Sequence, residues 1–200
     1  MAYRRSPAVQ ARLDAQEEEI LRAAIEVLSR DGYRGLSIAE VAAGAGVAVG
    51  TVYRHFAGKA ELVTTIFRRV AGREVEAVAA AGASGTPAER VRGAIETFAG
   101  RALKNPRLAY TLLTEPVDVA LDAERLVFRQ AFARTFATAI AAGLAEGLLP
   151  PQDPQTSAAA LVGGLAEVLG GPLADGLDAT AVVAEFVGFS LRALGAREQE

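Results

Sequence analysis

The chain has no cysteine, no tryptophan, one histidine and one methionine among its 200 residues. Without thiols it can form neither disulfides nor thiolate metal centres. A metal site would then need several carboxylates around that one histidine. No such cluster occurs, so the sequence calls for no metal and no cofactor. A hydrolase would need a nucleophile elbow and a histidine base. Gly-x-Ser-x-Gly is absent and His55 lies in the wrong segment, so the chain does not read as an enzyme. Strand patterns are missing as well. Val, Ile and Thr never alternate with polar residues over a strand length, and no Asn-Gly hairpin occurs. The opening residues lack the pattern of a secretory signal, which points to the cytosol. The most apolar stretch, residues 157–177, is interrupted by Glu167 and Pro172 and reads as too short and broken to span a bilayer.

What remains is an apolar, helix-forming chain. Hydrophobic residues make up 51% and charged residues 22%, enough for a sizeable core in a soluble protein. The net charge of −3 is unevenly spread: residues 1–75 carry +2 and residues 76–200 carry −5. For a nucleic-acid partner the distribution matters more than the sum. Residues 1–8 read as a loose basic arm, and a helix follows over about 10–30, stopped by Asp31-Gly32. Ser37-Ile38-Ala39-Glu40 has the capping-box pattern and opens a short helix ending near Gly44. Gly46 permits a tight turn, and a third helix covers about 48–55. A fourth runs from Lys59 to about Ala81. Further helices are expected near 87–104, 106–114, 119–147, 154–170 and 178–195, punctuated by prolines and by Gly170-Gly171-Pro172.

Residues 46–59, "GVAVGTVYRHFAGK", decide most of the function. Their glycines suggest a nucleotide loop, but a dinucleotide fingerprint needs a preceding strand, and here a capped helix precedes. A phosphate loop needs Gly-Lys-Ser/Thr, and Gly50-Thr51 has no lysine between. Helix, glycine turn, helix fits better. Val41, Ala42, Val47 and Val52 can pack inward, leaving Val49, Gly50 and Arg54 outward, as when a recognition helix enters the major groove. Thr51, Tyr53, His55 and Lys59 can grip flanking phosphates, and Ser37 and Ala48 complete the candidate DNA-binding set.

At this point the chain resembles the TetR-type transcriptional regulators. The resemblance runs from about Ile20 to Phe67 and rests on Ala24, Gly32-Tyr33, Ser37, Ala42, Gly46-Val47, Gly50-Thr51, Tyr-x-x-Phe-x-x-Lys at Tyr53, Phe56 and Lys59, and Leu62. Two positions depart from the family pattern. Ala48 stands where a capping serine or threonine is common, and Val49 stands where a polar base-reading side chain is common. Direct hydrogen-bond readout would then fall mainly to Arg54.

The resemblance implies an all-α protein in two parts. Residues 1–58 would form a three-helix helix-turn-helix domain, and residues 59–200 a helical domain for ligand binding and dimerisation. Phe128, Phe132, Phe136 and Ile140 form a stripe flanked by Arg125, Arg129, Arg134, Thr135 and Thr138; such stripes are usually core. Ligand-contact candidates are Phe98, Arg101, Tyr110, Glu115, Phe128, Arg129, Phe132 and Thr135, around an apolar or amphipathic inducer. Leu161, Leu165, Val168, Val183, Phe186 and Val187 lie on two late helices whose apolar surface exceeds what one domain face can cover. They read as the seam of a homodimer, which would match a palindromic double-stranded operator. The expected function is a ligand-responsive, sequence-specific DNA-binding regulator of repressor type. The alternative is a small-molecule-binding helical module whose head has lost DNA binding.

Overall fold

The computed structural model describes residues 6–196, which contain nine α-helices and no strand. They are α1 (Pro7–Gly35), α2 (Ile38–Gly44), α3 (Val49–His55), α4 (Lys59–Ala81), α5 (Pro87–Ala102), α6 (Pro106–Leu113), α7 (Val119–Ala145), α8 (Pro154–Asp175) and α9 (Thr180–Ala193). The all-α expectation holds. Residues 1–5 of the basic arm lie outside the described residues, and Pro7 and Ala8 already belong to α1.

Four helices open with the same device. Ser6, Thr86, Asn105 and Asp153 are N-caps, each followed by proline at the helix start. The cap oxygen accepts an otherwise orphaned N–H, and proline has no N–H to orphan. The capping box expected at Ser37 forms only by half. Ser37 Oγ accepts the Glu40 N–H at 3.2 Å, but the Glu40 carboxylate pairs with Arg30. The reciprocal box forms at Thr86 and Glu89. Gly32 takes positive φ (70°), as the Asp31-Gly32 stop requires, and a last turn continues to Gly35.

The chain divides by internal contacts into one unit ending at Ile66 and a second beginning at Phe67. Leu62, Val63 and Ile66, fully buried, cluster with the first unit, although the sequence grouped them with the second domain. In the first unit, Ile20, Ala24, Leu28, Val41, Val52 and Leu62 are buried core. Of the inward set expected of a helix-turn-helix, Val41, Ala42 and Val52 are buried and Val47 is half-buried.

In the second unit α8 packs along α7, with contacts to α6 and α9, and α5 lies against α7 and α9. Helix α8 does not stop before Pro172, as the sequence suggested, but runs through it. Leu161, Leu165, Leu169 and Leu173 recur every four residues and are all buried, so a continuous helix buries a fourth leucine that an early stop would expose. Gly176, with φ 65°, ends it in the left-handed conformation. By length and composition alone α8 could cross a membrane, against the expectation that this stretch is too short. Its leucine face is instead filled by the unit's own core.

The seam assignment needs correction. Leu161, Leu165, Phe186 and Val187 are at most 6% exposed within a single chain. They are core of one protomer, covered without a partner. Val168 and Val183 are half-buried against the same core. Gly164 admits the Phe186 ring inside the chain, since a Cβ there would lie 3.0 Å from it. The faces left open on α8 and α9 are others: Ala160, Gly163, Glu167, Gly171 and Ala174, then Ala181, Glu185 and Phe189.

Candidate nucleic-acid interface and ligand cavity

Two features of the first unit shape α3. Gly46, with φ 64°, turns the chain after α2, and the Val47 N–H donates to the Ala42 carbonyl at 3.0 Å. Ala48 is then the N-cap, extended at φ −71° and ψ 148°, with no side-chain cap bond. Its carbonyl still accepts the Thr51 N–H at 2.8 Å, so the helix starts on backbone geometry alone.

Val52, fully buried, anchors α3, and Phe56 closes its end. The opposite side is bare. Val49 is 43% and Tyr53 54% exposed, Gly50 has nothing within 4 Å of where a Cβ would sit, and Arg54 is exposed. The Arg54 guanidinium donates to Thr51 Oγ1 at 3.2 Å, which holds it along the helix. Val49, Gly50, Tyr53 and Arg54 thus share one open face, with half-buried Thr51 beside it.

Three other expected contact residues are engaged elsewhere. His55 is 8% exposed at its side chain; Nε2 lies 3.2 Å from Gln16 Oε1 and Nδ1 lies 3.6 Å from Glu17. That ties α3 to α1 and leaves the ring largely covered. Lys59 places its ammonium 4.3 Å over the Tyr33 ring. Ser37 spends its hydroxyl oxygen as a cap. Pairing of this kind between α3 and α1 has no local sequence signal, because Gln16 and His55 are 39 residues apart.

The second unit carries a cavity of about 250 Å³ that is partly open to solvent. Its walls are mostly apolar: Phe67, Val70, Phe98, Leu108, Leu112, Phe128, Phe132, Phe136 and Leu165 are among them. Phe98 meets Phe132 edge to face at 5.1 Å, and Phe67 meets Phe128 likewise. The polar lining is Glu74, Arg101, Asn105, Arg125 and Arg129. Three arginines against one glutamate leave this wall with a net charge of +2.

Of the eight ligand candidates, Phe98, Arg101, Phe128, Arg129 and Phe132 come together here, and Tyr110, Glu115 and Thr135 do not. The Arg107 guanidinium lies 5.8 Å from the Tyr110 ring centre. Glu115 is buried and accepts the Thr111 hydroxyl at 2.7 Å. Thr135 lies against Gly82. Sequence reasoning missed Glu74, which binds Arg101 through both carboxylate oxygens at 2.5 and 2.9 Å from 27 residues away. It also missed what Arg125 does: the guanidinium donates to the carbonyls of Thr111, Leu112 and Glu115 at 2.7–2.8 Å, capping the end of α6, and pairs with Asp122. Burial holds its pKa below the usual guanidinium range, partly offset by Asp122, with the like charge of Arg129 adding to the depression.

These features agree with what the chain is similar to. The model of the tetR family of bacterial regulatory proteins matches residues 20–66, which contain α2, the Gly46 turn and α3. The match covers 47 of the chain's 200 residues. The HTH-type transcriptional repressor KstR of Mycolicibacterium smegmatis is 35% identical over 103 residues, 48% of each chain. The fatty acid metabolism regulator protein of Bacillus subtilis is 34% identical over 58 residues, 29% of this chain and 30% of that one. The matched regions thus span about half, or less, of these relatives' lengths. A crystal structure of the regulator FadR from Bacillus subtilis, in complex with stearoyl-CoA, shares the fold at a TM-score of 0.77 and 19% identity, over 86% of this chain and 96% of that one.

Proposed function

We propose that this protein is a ligand-responsive, sequence-specific DNA-binding transcriptional repressor of the bacterial cytoplasm. Residues 1–58 would read DNA, and residues 59–200 would bind ligand and dimerise. The observation that carries the reading is the open face of Val49, Gly50, Tyr53 and Arg54 on a helix that follows a glycine turn. Val49 suits a thymine methyl, Arg54 suits a base edge, and Tyr53 suits a phosphate oxygen. A largely apolar cavity in the second unit suits a small apolar or amphipathic inducer. Stearoyl-CoA bound to the Bacillus subtilis FadR supports an amphiphile in the same fold. The open small-residue face of α8, together with exposed Phe189 on α9, supports a two-fold homodimer, which a palindromic operator requires.

The test is recovery of genomic fragments bound by the purified protein, followed by footprinting. A palindromic footprint with half-sites about one or two helical turns apart, and binding that falls steeply with salt, is expected. Retention of no fragment even at about 50 mM salt overturns the DNA-binding role and leaves a ligand-binding module.

A further inference from the structure

The cavity wall carries three arginines, and they are not equivalent. Arg101 is held by both oxygens of Glu74. Arg125 spends its N–H groups on three carbonyls and on Asp122. Arg129 is exposed and, among the described residues, has no hydrogen-bond or ion-pair partner. It sits one helical turn beyond Arg125 on α7, between Phe128 and Phe132 on the lining. An apolar chain filling the space beside the phenylalanines would leave its polar end near this one uncommitted guanidinium.

We propose that Arg129 is the head-group reader of the cavity and that the ligand is an amphiphile with an anionic head, a carboxylate or phosphate on an apolar tail. The inference rests on the cavity being the ligand site. A guanidinium presents two parallel N–H donors that match a carboxylate or phosphate oxygen pair. A neutral or cationic head would leave the wall's surplus positive charge unanswered, with Arg125 and Arg129 repelling one another. An anion placed between them offsets that repulsion. The buried Arg125 cannot take the reading role itself without abandoning the α6 carbonyls.

The test uses three probes with one tail: decanoate, decanol and decyltrimethylammonium, below their aggregation limits, titrated calorimetrically into the full-length protein without DNA. Arg129→Gln should weaken decanoate binding about tenfold and leave decanol unchanged. Arg129→Lys should recover part of the loss, and decyltrimethylammonium should bind the native protein worst. If all three probes bind and Arg129→Gln alters none of them, or weakens decanoate and decanol alike, the head-group role is overturned while the cavity remains a ligand site. If no probe binds the native protein at all, the cavity reading fails and this inference fails with it. Both outcomes are independent of operator binding.

Discussion

The two units expose their function in opposite ways. In the first, the exposed set proposed to meet DNA lies within a few positions on α3, and the turn before it is set by Gly46. In the second, the cavity draws on α4, α5, α6, α7 and α8, from Phe67 to Ala166. A recognition face made by one helix is a local property of sequence. A cavity is the space that several helices fail to fill, so no short stretch encodes it. Motif density therefore marks the first unit, and packing alone marks the second.

The sharpest way to break this contrast is at Leu161. If it is core of one protomer, Leu161→Glu buries an unpaired carboxylate, at a cost of about 5 kcal/mol. Helical circular dichroism and the melting transition of the second unit should be lost. A folded monomer in sedimentation, with full helicity, would restore Leu161 to a seam between protomers. Phe132→Ala comes next. Phe132 is 8% exposed and packed edge to face on Phe98, so removing it should cost about 3 kcal/mol and enlarge the cavity. Thermal melts combined with decanol titration check both effects; unchanged stability would mean that the wall closes up without it.

Smaller effects test the first unit. Tyr53→Phe removes one exposed hydroxyl, and operator affinity should fall by about 1 kcal/mol, equally across operator base variants. Loss confined to some variants would make Tyr53 a base reader. Ala48→Ser supplies the missing cap on a backbone already extended for it, and denaturant melts should show a gain of about 0.5–1 kcal/mol. No gain would mean that the Ser hydroxyl does not reach the free N–H groups of α3.

The smallest expected effect is acid sensitivity at α5. The Thr86 backbone N–H, and then its hydroxyl, hold the Glu89 carboxyl below its ordinary value. The stability it contributes is present above the unfolded-state pKa and is lost as pH falls through the lower folded value. Glu89→Gln keeps a cap-competent side chain but cannot titrate, so denaturant midpoints measured from about pH 6 to about pH 3 should decline less steeply in the variant. Equal slopes would remove the box from the acid response.

Helix existence was legible throughout, because prolines, caps and glycines act through the backbone of their own segment. The expected spans of α4 and α6 fall within one or two residues of those observed. Helix α8 runs through Pro172 because the burial of Leu173 outweighs one missing backbone hydrogen bond, and that burial is invisible in a local pattern. The apolar residues of α8 and α9 were legible as buried, but not as buried against what. Hydrophobic periodicity records that a face is covered and says nothing of the covering partner.

Sequence by itself determined the glycine turn, the two short helices around it and the outward set on α3. Backbone conformation and side-chain spacing over fewer than twenty residues suffice for these. Only the tertiary structure decided which basic side chains are committed. His55 is taken by Gln16 and Glu17, Lys59 lies over Tyr33, Arg101 is taken by Glu74, Arg125 caps α6, and Arg129 is left over. The reason is distance along the chain: a charge is neutralised by whatever the fold brings within a few ångströms, and most of these partners lie ten to forty residues away.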